Sequence, residues 1–88
     1  MNAYDIIFQP SVEKDLRKLS TQNYNRVMER IESLATDPFT AQAKKLTGTE
    51  GLYRIRVGDY RIIYEINLDN TFVLIHYIRH RRDAYRRL

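Results

Sequence analysis

Apolar positions three or four apart alternate along this chain with shorter runs in which every second position is apolar, and the two periods divide it into six predicted elements. Residues 4–8 are short, apolar and rich in isoleucine, which predicts a strand. Pro10 follows at a position suited to the first residue of a helix. Val12, Leu16 and Leu19 recur at helical spacing, and Glu13, Lys14, Asp15, Arg17 and Lys18 fill the other face. This first helix is predicted to end near Ser20, and Ser20 or Thr21 can cap a second. The stripe of the second helix is Tyr24, Val27, Met28, Ile31, Leu34 and Ala35, and Asp37-Pro38 stops it. The short break between them predicts an antiparallel helical hairpin.

Residues 39–51 read as a connection carrying the basic pair Lys44-Lys45. Beyond it, YRIRVGDYRIIYEI (residues 53–66) places two alternating runs around Gly58-Asp59, a two-residue hairpin signal. With that turn, Val57 pairs with Tyr60, Arg56 with Arg61, Ile55 with Ile62 and Arg54 with Ile63. Alternation sends Tyr53, Ile55, Val57, Tyr60, Ile62 and Tyr64 to one face, and Arg54, Arg56 and Arg61 to the other. Arg56 and Arg61 then face each other across the strands, and facing like charges destabilise a sheet. An anion between them offsets that cost, and phosphate suits the guanidinium fork.

Residues 71–79 predict a third strand, an apolar run broken by His76. A three-residue loop with Asn70 left-handed would pair Asn67 with Thr71. Glu65 would then face Val73, Ile63 would face Ile75 and Arg61 would face Tyr77. In that register Arg79 joins Arg54, Arg56 and Arg61 on one face, and His76 points with Leu74 and Ile78 toward the helices. A one-residue slip would reverse the placement of Arg79. The expected fold is α+β, one two-layer domain over residues 1–88 in the order β-α-α-β-β-β, with an antiparallel sheet packed on the helical hairpin.

Charge sharpens the picture. The net charge of +4 is unevenly spread: residues 1–43 sum to −1 and residues 44–88 to +5, with Arg79, Arg81, Arg82, Arg86 and Arg87 near the end. Such asymmetry points to a polyanionic partner or to a solvated basic surface. There is no cysteine, which excludes disulfides and thiolate chemistry. No apolar stretch approaches the ~20 residues needed to span a bilayer, and MNAYDIIFQ does not read as a signal peptide. A cytoplasmic protein without a membrane partner is expected.

Metal binding is not expected, since His76 and His80 are the only histidines and no carboxylate cluster accompanies them. No nucleotide-binding glycine loop is present, so no cofactor is expected. Arginines beside tyrosines suit RNA, through phosphate contacts and base stacking. The same set could promote cleavage by the ribose 2′-hydroxyl, because cations near the phosphorane oxygens lower that barrier. Candidates for proton transfer are His76, His80, Asp83 and Tyr85. His76 reads better as a hydrogen-bonded core residue. His80 lies nearer the arginines, and Tyr85 suits packing, stacking or catalysis. Lys44 and Lys45 read as solvated residues or as phosphate contacts.

The segment KLTGTEGLYRIRVGDYRIIYEI, the apolar strand and HYIRHRRDAY together resemble the RelE/ParE superfamily of toxin–antitoxin toxins. Lys45, Leu46 and Gly48, the YRIRVGDYR hairpin and the HRRDAY end carry the resemblance, which covers nearly the whole chain. It implies a microbial-RNase-like fold and, for a RelE-like member, cleavage of mRNA in the ribosomal A site by 2′-hydroxyl attack, blocked by a cognate antitoxin. The family's site residues match Arg54, Arg56, Arg61, Arg79 and Tyr85, with Lys44, Lys45, Arg81 and Arg82 as RNA contacts and His80 as an acid–base candidate. Where well-studied RelE members have two lysines, this chain has Arg54 and Arg56, which do not readily accept a proton. The same resemblance admits a ParE-like inhibitor of DNA gyrase without nuclease chemistry, and the residues alone admit an RNA-binding module.

Overall fold

The computed structural model describes residues 3–40, 42–46 and 51–82. The chain runs β1 (Asp5–Phe8), α1 (Pro10–Arg17), α2 (Thr21–Ser33), β2 (Lys44–Lys45), β3 (Leu52–Val57), β4 (Tyr60–Asn67) and β5 (Phe72–His80). Pro10 opens α1, where its missing N–H has no helical bond to lose. The Ser20 hydroxyl caps α2 by accepting from the Asn23 N–H at 3.2 Å.

The strands form one five-stranded sheet in the order β1-β5-β4-β3-β2. It is mixed rather than antiparallel throughout, because β1 pairs with β5 in parallel. The basic pair expected within a connection forms the edge strand β2 instead, where Lys44 pairs with Arg54 and Lys45 with Tyr53. The helices cover one face, α1 over β5 and α2 over β3. Val12, Val27, Ile31 and Leu34 from the helical side meet Ile55, Ile62, Tyr64, Val73 and Ile75 from the sheet, all fully buried. From the predicted stripe of α2, Tyr24 remains exposed. The Tyr64 hydroxyl donates to the Pro38 carbonyl at 2.8 Å, tying the sheet to the end of the helical hairpin. Burial pushes its ionisation upward, so Tyr64 stays a hydrogen-bond donor.

The Gly58-Asp59 hairpin has the expected register, with Arg56 opposite Arg61. Gly58 has φ +58° while Asp59 stays outside the left-handed region, the pattern of a II′ turn.

The β4–β5 register departs from expectation. Asn67 pairs with Phe72, not Thr71, and Thr71 rather than Asn70 is left-handed, with φ +49°. The reason is local: the Asn67 side-chain oxygen accepts from the Asn70 N–H at 2.8 Å, which winds the loop one residue longer. Glu65 therefore faces Leu74, not Val73. Between Ile63 and Tyr64 the register shifts again, leaving His76 as the extra residue of a bulge on β5. Past the bulge Ile63 faces Tyr77, not Ile75, and Arg61 faces Arg79, not Tyr77. His76 does not point toward the helices with Ile78. It sits on the outer face, 3.1 Å from Glu65 Oε1, while Ile78 is buried.

Candidate nucleic-acid interface

Residues paired across antiparallel strands share a face, so the register defines what covers the side of the sheet away from the helices. One row runs Arg56–Arg61–Arg79 across β3, β4 and β5. The next runs Lys44–Arg54–Ile63–Tyr77 across four strands. A third holds Leu52, Glu65 and Leu74. Five of the predicted residues (Lys44, Arg54, Arg56, Arg61 and Arg79) thus share two adjacent rows.

Arg56 and Arg61 also line a cavity of about 150 Å³ at the hairpin turn, with Gly58, Asp59, Tyr60 and Arg81. Arg81 is placed there by its backbone N–H, which donates to the Asp59 carbonyl at 2.7 Å. Its guanidinium lies 4.0 Å from the exposed Asp59 carboxylate. Three arginines, from two strands and the end of a third, line this cavity, whose size suits one phosphate.

Arg79 belongs to the row by its backbone, but its head group is drawn to the edge of the sheet. Nη1 donates to Asp15 Oδ2 at 2.8 Å and to the Ile78 carbonyl at 3.1 Å, and the guanidinium lies 4.8 Å from the Tyr77 ring centre. The same Asp15 oxygen accepts from the Ile78 N–H at 3.0 Å. Strand β1 stops pairing at Ile75, and α1 brings Asp15 to the exposed edge that follows. Asp15 thus both caps that edge and fixes one side of Arg79, and among the described residues Nη2 and Nε are left for another acceptor.

The remaining predicted residues separate. His80 pairs with Tyr60 on the face away from the arginine row, its ring 5.3 Å from that of Tyr60, and its Nδ1 accepts from the Arg82 N–H. Lys45 shares the face of Tyr53, at the exposed edge. Arg82 is exposed. Tyr85 and Asp83 lie outside the described residues. His76 and Glu65 form a pair on the outer face, but Glu65 is four residues along β4 from Arg61, about 13 Å at the usual strand rise. A proton acceptor must come within ~3 Å of its donor, so this pair cannot serve a phosphate held at the turn. Among the described residues, no group of three or more histidines, cysteines or carboxylates is arranged to hold a metal, and no helix is long and apolar enough to cross a membrane.

Sequence reasoning missed Asp15, which it placed on the solvent side of α1, and Asp59 as part of the cavity. It also missed Arg26 and Arg30 on α2, one turn apart, which face the hairpin turn beside Arg56. Their i, i+4 spacing on the polar side of the stripe was the available signal.

Residues 6–85 match the family model described as the ParE toxin of the type II toxin–antitoxin system. The toxin RelG of Mycobacterium tuberculosis is 31% identical over 85 residues, covering 96% of this chain and 98% of the relative. The toxin RelE3 of Methanocaldococcus jannaschii is 31% identical over 84 residues, covering 91% and 93%. Among solved structures, an archaeal RelE–RelB complex from Pyrococcus horikoshii superposes with a TM-score of 0.81 at 32% identity, covering 90% of this chain and 96% of the matched one.

Proposed function

The chain belongs to the RelE/ParE superfamily of toxins of type II toxin–antitoxin systems, and from that footing we propose that it is a RelE-like endoribonuclease that cuts mRNA in the ribosomal A site. The observation that carries this reading is the convergence of Arg56, Arg61 and Arg81 on one phosphate-sized cavity, beside Arg79 in the same row. In the proposed reaction the ribose 2′-oxygen attacks the adjacent phosphorus, the bond to the 5′-oxygen breaks, and a 2′,3′-cyclic phosphate and a 5′-hydroxyl result. Negative charge accumulates on the phosphorane oxygens, where preorganised guanidinium groups lower the barrier. Arg61 and Arg79 stabilise that charge. Arg54 and Arg56 orient the 2′-hydroxyl and the phosphate, since a guanidinium donates hydrogen bonds but does not take up the proton. Tyr85 stacks on a base. Lys44, Lys45, Arg81 and Arg82 contact backbone phosphates of mRNA or ribosomal RNA. His80 remains the acid–base candidate by resemblance, although its ring faces Tyr60. The matched complex contains RelB, and a cognate antitoxin whose acidic groups neutralise the basic face is the proposed inhibitor.

The family-model match to a ParE toxin favours a second reading, inhibition of DNA gyrase without nuclease chemistry. Pulse labelling after induced expression without antitoxin separates the two. A first fall in methionine incorporation, with mRNA ends mapping within codons, supports the ribonuclease. A first fall in thymidine incorporation with translation intact supports the gyrase inhibitor.

A further inference from the structure

The hairpin turn carries cations on both of its sides, and only one side belongs to the site described above. On the other, a groove of about 400 Å³ runs between α2 and the end of β3, lined by Arg26, Glu29, Arg30, Ser33, Arg56, Val57 and Gly58. Arg26 lies over the turn itself: both of its terminal nitrogens are 3.5 Å from the point where a Cβ on Gly58 would stand. Arg30 is anchored through Nη1 to the Gln42 side-chain oxygen. Glu29 is the carboxylate of the set, so the lining carries three cations against one anion. Among the described residues, none of Arg26, Arg30 and Arg56 forms an ion pair with a carboxylate.

Charges gathered in this way repel one another, and the fold could relieve the repulsion by pairing them with carboxylates on neighbouring turns, as Arg17 does with Glu13 on α1. The groove and the small cavity share Arg56 and Gly58. Together they form a basic path that crosses the tip of the hairpin. We propose that the groove is a second phosphate site, in which Arg26, Arg30 and Arg56 grip the backbone of an RNA strand on the far side of the turn from Arg61. The ligand is a polyanion with evenly spaced phosphates. Guanidinium groups on either side of one turn suit such a chain, whereas a single carboxylate would engage only one of them. The proposal rests on the RNA-directed reading of the arginine row and extends it to α2.

Counting released counterions tests this directly. Each phosphate contact on a single strand steepens the fall of log affinity with log salt by about 0.7. Binding of a short 2′-O-methyl oligouridine, which cannot be cut by 2′-hydroxyl attack, would be followed by fluorescence anisotropy from about 50 to about 300 mM salt. Vacant ribosomes form a second arm. For Arg26→Gln/Arg30→Gln the slope should become shallower by about 1.4, and for each single variant by about 0.7. Lys14→Gln/Lys18→Gln removes the same net charge from α1 and should leave the slope at the parent value. A change with the oligonucleotide assigns the groove to messenger RNA, and a change confined to ribosomes assigns it to ribosomal RNA. An unchanged slope in both arms overturns the proposal, even if binding of an acidic peptide weakens. Parallel cleavage of mRNA-programmed ribosomes by the parent protein keeps the two ideas separable. A shallower slope without cleavage sinks the nuclease reading alone, and cleavage with unchanged slopes sinks the groove alone.

Discussion

Replacing Asp15 probes a contact between residues 64 positions apart in the chain. One carboxylate oxygen accepts both the Ile78 N–H and Arg79 Nη1, so alanine and asparagine remove different things. Alanine leaves a buried edge N–H without its acceptor, a loss of about 1–3 kcal/mol. It also removes the charge-assisted bond to Arg79. The Arg79 side chain is 32% exposed and that of Asp15 13%, so solvent screening brings the ion-pair part toward ~1 kcal/mol. Asp15→Ala should therefore cost about 2–4 kcal/mol. Asparagine keeps an oxygen for the Ile78 N–H and loses only the charge, about 1 kcal/mol. In a domain of this size each kcal/mol lowers Tm by about 4–8 °C. Thermal melts followed by circular dichroism should thus place Asp15→Asn about 4–8 °C below the parent and Asp15→Ala at least about 8 °C below it. With Arg79→Gln as the second arm of a double-mutant cycle, the Asp15→Asn effect should shrink by about 0.5–1 kcal/mol. Two results would refute the reasoning: equal melting of the alanine and asparagine variants, which removes the edge-capping part, or strict additivity with Arg79→Gln, which removes the ion pair.

Two further variants probe parts of the fold with opposite bearing on the site. Tyr64→Phe leaves the Pro38 carbonyl without its buried donor and should lower stability by about 1–2 kcal/mol, read as a fall in the urea midpoint with an unchanged m-value. His76→Ala should leave single-turnover cleavage of ribosome-bound mRNA within about twofold of the parent, because the His76–Glu65 pair lies about 13 Å along the sheet from Arg61. A loss of about 100-fold, the size of a general-base effect, would show that the scissile phosphate sits elsewhere on the face.

The hairpin was legible because every signal for it is local. A glycine-led dipeptide sits between two alternating runs, and one register satisfies both turn and pattern, so the placement of Arg54, Arg56 and Arg61 followed directly. Arg79 reached the right face by a route that compensated. The β4–β5 loop is one residue longer than expected, because the Asn67 side chain substitutes for a backbone acceptor. The bulge at His76 then reverses that change of face, so Arg79 lies on the side of Arg61, directly opposite it instead of two residues further along. Neither feature leaves a periodic trace, and His76 was assigned to the wrong face for that reason. Strand β2 has two residues, too few for any alternation to register. The parallel pairing of β1 with β5 and the clamp of Asp15 on Arg79 depend on where α1 returns the chain, which no window of neighbouring residues contains.

Whether the arginine row cleaves RNA is decided by incubating the purified protein, and its Arg61→Ala variant, with ribosomes carrying a defined mRNA codon in the A site. Primer extension would locate the cut and mass spectrometry would identify the ends. Cleavage within that codon should leave a 2′,3′-cyclic phosphate. Arg61→Ala should cut at least about 100-fold more slowly in single turnover, with a circular dichroism spectrum that matches the parent. Cleavage by Arg61→Ala at the parent rate would contradict the assignment of the site, and intact mRNA beside inhibited gyrase supercoiling would contradict the function itself.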